Sequence, residues 1–311
     1  MRKLLIAVLA VILLAVAWLA LFPVGQHADR SFDARVAQPA YTSRHPVVLF
    51  DQAHYNAHGM SGSFAPFAKL LRSDGYELRQ GKERFTPGSL EGVDVLVIVN
   101  AAGGSNPKLF GINLVPLRKG SREAPAFTAD EIETVRRWVE GGGALLLVAD
   151  HYPFGSAASS LGAAFGVNMH AGSVEARQYA DPRDSGSIAF TRANGLLPDS
   201  PVANGRGPSE RIERVLSFTG QSFDAPDGVP LLALPRTAIE FIPPPPNFKE
   251  QPAGPLQGAA LTVGRGRVVV LGEAAMLTAQ AEGGQRFGMN MTGIDNRQFA
   301  LNVMHWLSRL M

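Results

Sequence analysis

Ala144-Leu145-Leu146-Leu147-Val148-Ala149-Asp150-His151 is the stretch that decides the fold. An apolar run this short and nearly continuous reads as a strand buried on both faces, the pattern of a parallel sheet. Gly141-Gly142-Gly143 feeds it from a helix, because a helix that must stop and turn into a strand within three residues needs glycine there. That helix opens at Thr128, with Glu131 three residues on as a capping box. It carries Ile132, Val135 and Val139 on one face, with Trp138 beside them.

Three further runs share the design. Pro46–Phe50 stops at Asp51, Val93–Val99 stops at Asn100, and Val268–Leu271 stops at Gly272-Glu273. Ligands of open parallel sheets sit outside the carboxyl ends of the strands. Asp51, Asn100, Asp150, His151 and Glu273 are therefore expected on one edge.

Between these strands the chain supplies crossovers. Phe67, Leu70 and Leu71 form the stripe of a helix from about Ser63 to Ser73, followed by Gly75 and an edge strand at Tyr76–Arg79. A long Gly- and Pro-containing loop spans 101–127. Ser156 is expected to cap a short helix carrying Leu161, Ala164 and Phe165. A last helix follows Asp295, its expected cap, with Phe299, Val303, Trp306 and Leu310 on one face. Residues 168–256 are an irregular insertion within the same domain, containing the surface run Pro243–Pro246 and short strands near 188–190, 214–218 and 231–234. The order predicts an α/β three-layer sandwich with a mainly parallel, flavodoxin-like sheet over 45–311.

The amino terminus is different. Met1-Arg2-Lys3 is basic and Leu4–Phe22 carries no charge, close to the roughly 20 residues a helix needs to cross a bilayer. Residues 1–24 read as a signal anchor and transmembrane helix, with Trp18 at an interface and the basic end in the cytoplasm. The domain then faces the periplasm from the inner membrane. A cleavable signal peptide releasing the chain to the periplasm is the alternative. Polar residues 25–44 read as a flexible tether.

The chain has 311 residues, a net charge of +2 and no cysteine. Disulfides, thiolate metal sites and a cysteine nucleophile are excluded. Charges are dispersed, without the clustered basic face of a nucleic-acid binder.

Several phrases taken together carry a resemblance. They are Asp51-Gln52-Ala53-His54, the segment from Phe127 through Trp138-Val139-Glu140-Gly141-Gly142-Gly143 to Asp150-His151, and Gly266–Glu273 with Asp295–Ala300. The chain resembles bacterial domains of unknown function in the class I glutamine amidotransferase-like superfamily. Its relatives include the domain shared by gliding-motility and intraflagellar-transport proteins. The resemblance implies an amidotransferase-like sheet. Amidotransferases of that superfamily use a cysteine at a nucleophile elbow with a late histidine and glutamate. Here Asp150-His151 holds the place after the Ala144 strand, and Glu273 has no histidine beside it, so glutaminase activity is not expected.

Asp51, His54, His58, Asp150, His151 and Glu273 form the candidate polar cluster, with Asn100 in its lining. Carboxylates and imidazoles suit a divalent metal, with His54, His58, Asp150 and His151 as candidate ligands. The same residues also suit plain hydrogen bonding. As acid and base, Asp150, His151 and Glu273 are the catalytic candidates. Ser61, Ser63, Ser105 and Ser156 lie on the same edge, but none stands in a Gly-x-Ser-x-Gly elbow. His170 and His305 stand alone. The favoured expectation is a non-catalytic ligand-binding or scaffolding domain of the envelope, engaging a small molecule or an envelope protein. The alternatives are a hydrolase, with or without metal assistance, acting on an envelope glycan or peptide, and a purely structural envelope protein.

Overall fold

The computed structural model describes residues 25–104, 108–109, 112–113, 122–243 and 247–311. The expected membrane segment 4–22, Ser105 with most of its loop, and Pro244–Pro246 lie outside the described residues. Among those described, no helix is long and apolar enough to cross a membrane.

The four apolar runs form the middle of a nine-stranded sheet. Its strands are β1 (Val47–Asp51), β2 (Glu77–Gly81), β3 (Val95–Val99), β4 (Ala144–Val148), β5 (Asn168–Met169), β6 (Phe223–Asp224), β7 (Val229–Ala233), β8 (Leu256–Val263) and β9 (Gly266–Leu271). The parallel half has the order β2-β1-β3-β4-β9. This is a doubly wound arrangement, whose ligand edge lies outside the carboxyl ends of the strands.

Two layers of helix cover the sheet. Side chains alternate across each strand, so Val48, Phe50, Val95, Val97, Leu146 and Val269 face one side. There they pack with Phe67, Leu70 and Leu71 of α1 (Ala65–Ser73) and with Phe299, Val303 and Met304 of α4 (Asn296–Leu307). Leu49, Leu96, Ile98, Leu145, Leu147 and Val268 face the other side. They meet Val135 and Val139 of α2 (Ala129–Glu140) and Ala157, Ala158 and Leu161 of α3 (Phe154–Ala163). Each fully buried aliphatic chain stabilises by roughly 1.5–3 kcal/mol, so both faces are needed to hold the sheet. The α/β sandwich expected from the sequence is the fold observed.

The antiparallel half departs from the reading of the sequence. β8 pairs with β9, then β6 and β7 both pair with β8, and β5 closes the edge. β8 carries Gly258, Ala259 and Ala260, which give none of the bulky signature of a buried strand. Gly264 turns β8 into β9 at a φ of +57°, and a Cβ there would meet the Glu140 carbonyl at 2.8 Å.

The insertion at 168–256 is not irregular throughout. It contributes β5, β6 and β7, a hairpin of Ile188–Thr191 with Arg214–Ser217, and a small sheet of Ser173–Glu175, Ile239–Ile242 and Lys249–Pro252. Val174, Ile188, Phe190 and Val215 are buried in the same core as α4.

Residues 25–44, assigned to a tether by composition, are docked on the domain. His27–Ala28 pairs antiparallel with Gln280 and Ala281. Phe32, Val36 and Ala40 pack against the core. Tyr41 is buried, with its hydroxyl 2.7 Å from Ser308 Oγ. A segment without apolar period is held here by backbone pairing and by isolated anchors, which periodicity does not register.

Two expected caps and one expected helix start differ as well. The capping box of Thr128 and Glu131 is present. Ser63 instead lies inside a 3-10 turn (Gly62–Phe64) that runs into α1, and Ser156 lies inside α3, which begins after Pro153. Asp295 precedes α4 but caps none of its amides. It accepts from Glu213 N and Arg214 N at 2.8 and 2.9 Å, tying the insertion to the last helix.

Candidate functional site

The expected cluster divides into a buried knot and an open cavity. Along β1, Val48 and Phe50 face α1, so Asp51 faces α2 with Leu49. His54 follows it there. Its Nδ1–H donates to Asp51 at 2.9 Å and its Nε2–H donates to Glu131 at 2.8 Å. The ring lies between Phe85 and Phe127, each with its centroid 4.7 Å away. Burial alone lowers the His54 pKa, but hydrogen bonds and charge from Asp51 and Glu131 outweigh that and raise it above the ordinary value. Both nitrogens carry protons, and the ring is an imidazolium held between two carboxylates.

Glu131 also accepts from Arg84 Nη1 at 2.8 Å and from Thr128 N at 2.9 Å. Burial raises its pKa, but the Thr128 amide and His54 outweigh it and bring the carboxyl down to about 2. The capping box was legible in the sequence. The attachment of Glu131 to His54 was not.

The second assembly is a cavity of about 350 Å³ at the carboxyl ends of β3, β4 and β9, within the range of small-molecule sites. Asn100, Asp150, His151 and Glu273 line it together, as the strand-end pattern implies, and His58 lines it as well. Asp51 and His54 do not. Asn100 has a φ of +50°. Its side-chain oxygen accepts from Asp150 N at 2.9 Å, and so sets the turn after β4.

Asp150 has both carboxylate oxygens engaged by backbone. One accepts from His151 N at 2.7 Å and the other from Ala274 N at 3.3 Å. His151 turns outward, with nearly half of its side chain exposed and Nδ1–H donating to the Tyr152 carbonyl at 2.9 Å. Glu273 is buried and accepts from Ala275 N and, at 2.8 Å, from Met276 N. Burial, and then the charge of Asp150, push its pKa up to about 8. His58 stacks on Phe64 at 5.0 Å, and burial lowers its pKa despite Asp150 nearby.

The remaining lining escaped the reading of the sequence. Phe154, Phe218, Thr219, Gln280, Phe287 and Gln26 line the cavity too. Thr219 has a φ of +88°. A β-branched residue in that region is strained, and such strain gathers at binding and catalytic sites. Phe218-Thr219-Gly220 carries no motif, so no signal pointed to it.

The metal candidates are not brought together. Both nitrogens of His54 are taken by carboxylates away from the cavity, and His151, at its rim, has Nδ1 on the Tyr152 carbonyl. Among the described residues, no group of three or more ligating side chains is placed to hold a metal ion. His170 and His305, which stand alone in the sequence, are paired in the fold. His170 lies 2.8 Å from Asp224 and 3.2 Å from both Glu240 and Ser222. His305 lies 2.7 Å from Asp74.

No protein-family model matches this chain, and no curated protein matches its sequence. Solved structures do. The N-terminal domain of mmIFT52 superposes with a TM-score of 0.57 at 16% identity, over 84% of this chain and 97% of that one. A cytoplasmic protein of Salmonella typhimurium LT2 gives 0.48 at 14% identity, over 84% and 99%. A thua-like protein from Bacteroides uniformis gives 0.45 at 12%, over 90% and 95%. The first shows a shared fold, and at that identity the fold alone. The other two lie below the level that carries an argument. The fold shared with the mmIFT52 domain is an α/β sandwich with a mainly parallel central sheet, the class of fold that the sequence resemblance implies.

Proposed function

We propose that this chain is a membrane-anchored, periplasm-facing domain that binds a small polar ligand in its strand-end cavity, without glutaminase chemistry. One observation carries the reading. Asp150 stands where amidotransferases of this fold place a nucleophile, and backbone amides hold both of its oxygens. It is a fixed polar wall of a cavity rather than an attacking group. Asn100 and Thr219, both at positive φ, flank the same space and support a site shaped for a ligand.

Arg2 and Lys3 ahead of the uncharged run Leu4–Phe22 support the anchor. Gln26 lines the cavity, and four residues of chain span at most ~14 Å. An anchor ending at Phe22 would therefore hold the cavity mouth close to the membrane surface.

The test is equilibrium dialysis of the full chain, in detergent, against a library of small polar metabolites. Asp150→Asn is run alongside, together with turnover assays on ester, amide and glycoside substrates. A compound retained by the wild type and lost by the variant, with no turnover, supports the reading. Turnover abolished by Asp150→Asn replaces it with the hydrolase reading, in which neutral Glu273 would donate the proton and Asp150 would accept it.

A further inference from the structure

We propose that the ligand of the strand-end cavity is a small organic ammonium ion. The inference rests on the reading that this cavity is the ligand site, and it assigns the charge of what enters. Among the described residues, Asp150 and Glu273 are the carboxyl groups of the wall, and neither lysine nor arginine lines it. The other charge-bearing side chains there are the imidazoles of His58 and His151. His58 is held towards its neutral form by burial.

The rest of the lining accepts rather than repels a cation. Gln280 uses one of its two Nε2–H donors on Thr278 Oγ1 at 2.9 Å, and its amide oxygen is an acceptor. Phe154, Phe218 and Phe287 supply rings, whose faces attract cations. The protein already uses one of them in this way. The guanidinium of Arg122 sits 5.1 Å from the centroid of Phe154. Phe218 and Phe287 meet edge-on at 5.8 Å and line the same cavity.

The two carboxyl groups give the proposal a measurable sign. Glu273 is held in its acid form up to about pH 8 by burial and by the charge of Asp150. An ammonium ion beside Asp150 offsets that charge, favours ionised Glu273 and releases its proton. Affinity for a cation must then rise with pH through the titration of Glu273. An uncharged ligand lacks this linkage, and an anion shows the opposite slope. Among the described residues, the other titratable groups in this lining are His58 and His151, and Arg122 sits on the Phe154 ring. Burial holds His58 below the ordinary imidazole range, so a window above pH about 7 separates its titration from that of Glu273.

Calorimetric titration of the full chain in detergent micelles tests this. The probes are choline and its uncharged isostere dimethylbutanol, with butylamine, butanol and butyrate as a second set. The ammonium probes are expected to bind about tenfold tighter than their uncharged partners. Their affinity should rise roughly fivefold between pH about 7 and about 9, for a shift of about one unit in Glu273. Asp150→Asn should remove the preference for charge, and Glu273→Gln should remove the pH dependence while keeping that preference. The proposal is overturned if an uncharged isostere or butyrate binds as tightly, or if the preference survives Asp150→Asn. If no probe of any charge binds, the proposal fails together with the reading of the cavity as a ligand site.

Discussion

The Nε2–H of His54 donates to Glu131 Oε1 at 2.8 Å across 77 residues of sequence, joining the loop after β1 to the cap of α2. The link explains why His54 is absent from the cavity that its neighbours in sequence reach. It also makes the knot of Asp51, His54 and Glu131 a stability element. Removing the central imidazolium leaves two carboxylates without it, and breaking a buried ion pair costs about 3–5 kcal/mol. His54→Ala is expected to lose stability of that order in urea denaturation while ligand retention per folded molecule is unchanged. A variant as stable as the wild type would show that water or Arg84 replaces the imidazolium at no cost.

Stability should fall as the pH rises above neutral. Hydrogen bonding to Glu240, opposed by burial and joined by Asp224, raises His170 to about 9. Its unfolded value is about 6.5. A folded pKa above the unfolded one contributes stability that is fully present below about 6.5 and lost as the pH passes through about 9. Glu273, raised to about 8, adds to the same trend over a lower window, from about 4.5 to about 8. The Tm is expected to drop between pH about 7 and about 9.5, with a shallower slope in Glu273→Gln. A Tm that climbs over this window would mean that His170 is neutral in the fold.

Asp150 and Glu273 should report on each other. Burial is the larger cause of the raised Glu273 value and Asp150 the smaller. Asp150→Asn is therefore expected to lower the Glu273 pKa only part of the way to the ordinary carboxylate range. Carboxyl NMR of selectively labelled glutamate measures it. An unchanged value would show that burial alone sets it.

Thr219 bears strain that glycine does not. At its φ of +88° a non-glycine residue costs of order 1–3 kcal/mol, against a few tenths to one for the extra freedom of glycine in the unfolded chain. Thr219→Gly is expected to raise the free energy of unfolding by about 1 kcal/mol, and with it the denaturation midpoint, and to weaken ligand retention. A fall in the midpoint would mean that the threonine side chain holds the turn.

The parallel half of the sheet was legible because its strands are buried on both faces and so appear as unbroken apolar runs. β8 was not, because Gly258, Ala259 and Ala260 fill a tightly packed position with almost no side chain. Residues 25–44 were misread for a related reason. Phe32, Val36 and Tyr41 anchor the segment singly, while strand pairing at His27–Ala28 uses backbone that any sequence supplies. In the candidate site, the ends of β3, β4 and β9 met as expected. Asp51 and His54 did not join them, because the period of two along β1 turns Asp51 toward α2. The walls from Thr219, Gln280 and Phe287 come from segments without periodicity or motif, and only the fold brings them in.

The central claim is that the strand-end cavity is where this domain takes its ligand. Hydrogen–deuterium exchange of the full chain, with and without the tightest-binding ammonium probe, tests it most directly. The account expects protection confined to the amides around His58, Asn100–Ala102, Asp150–Phe154, Phe218–Gly220 and Glu273–Met276. Protection centred instead on Arg183, Arg286 and Thr292, which line a separate cavity of about 360 Å³, would contradict it.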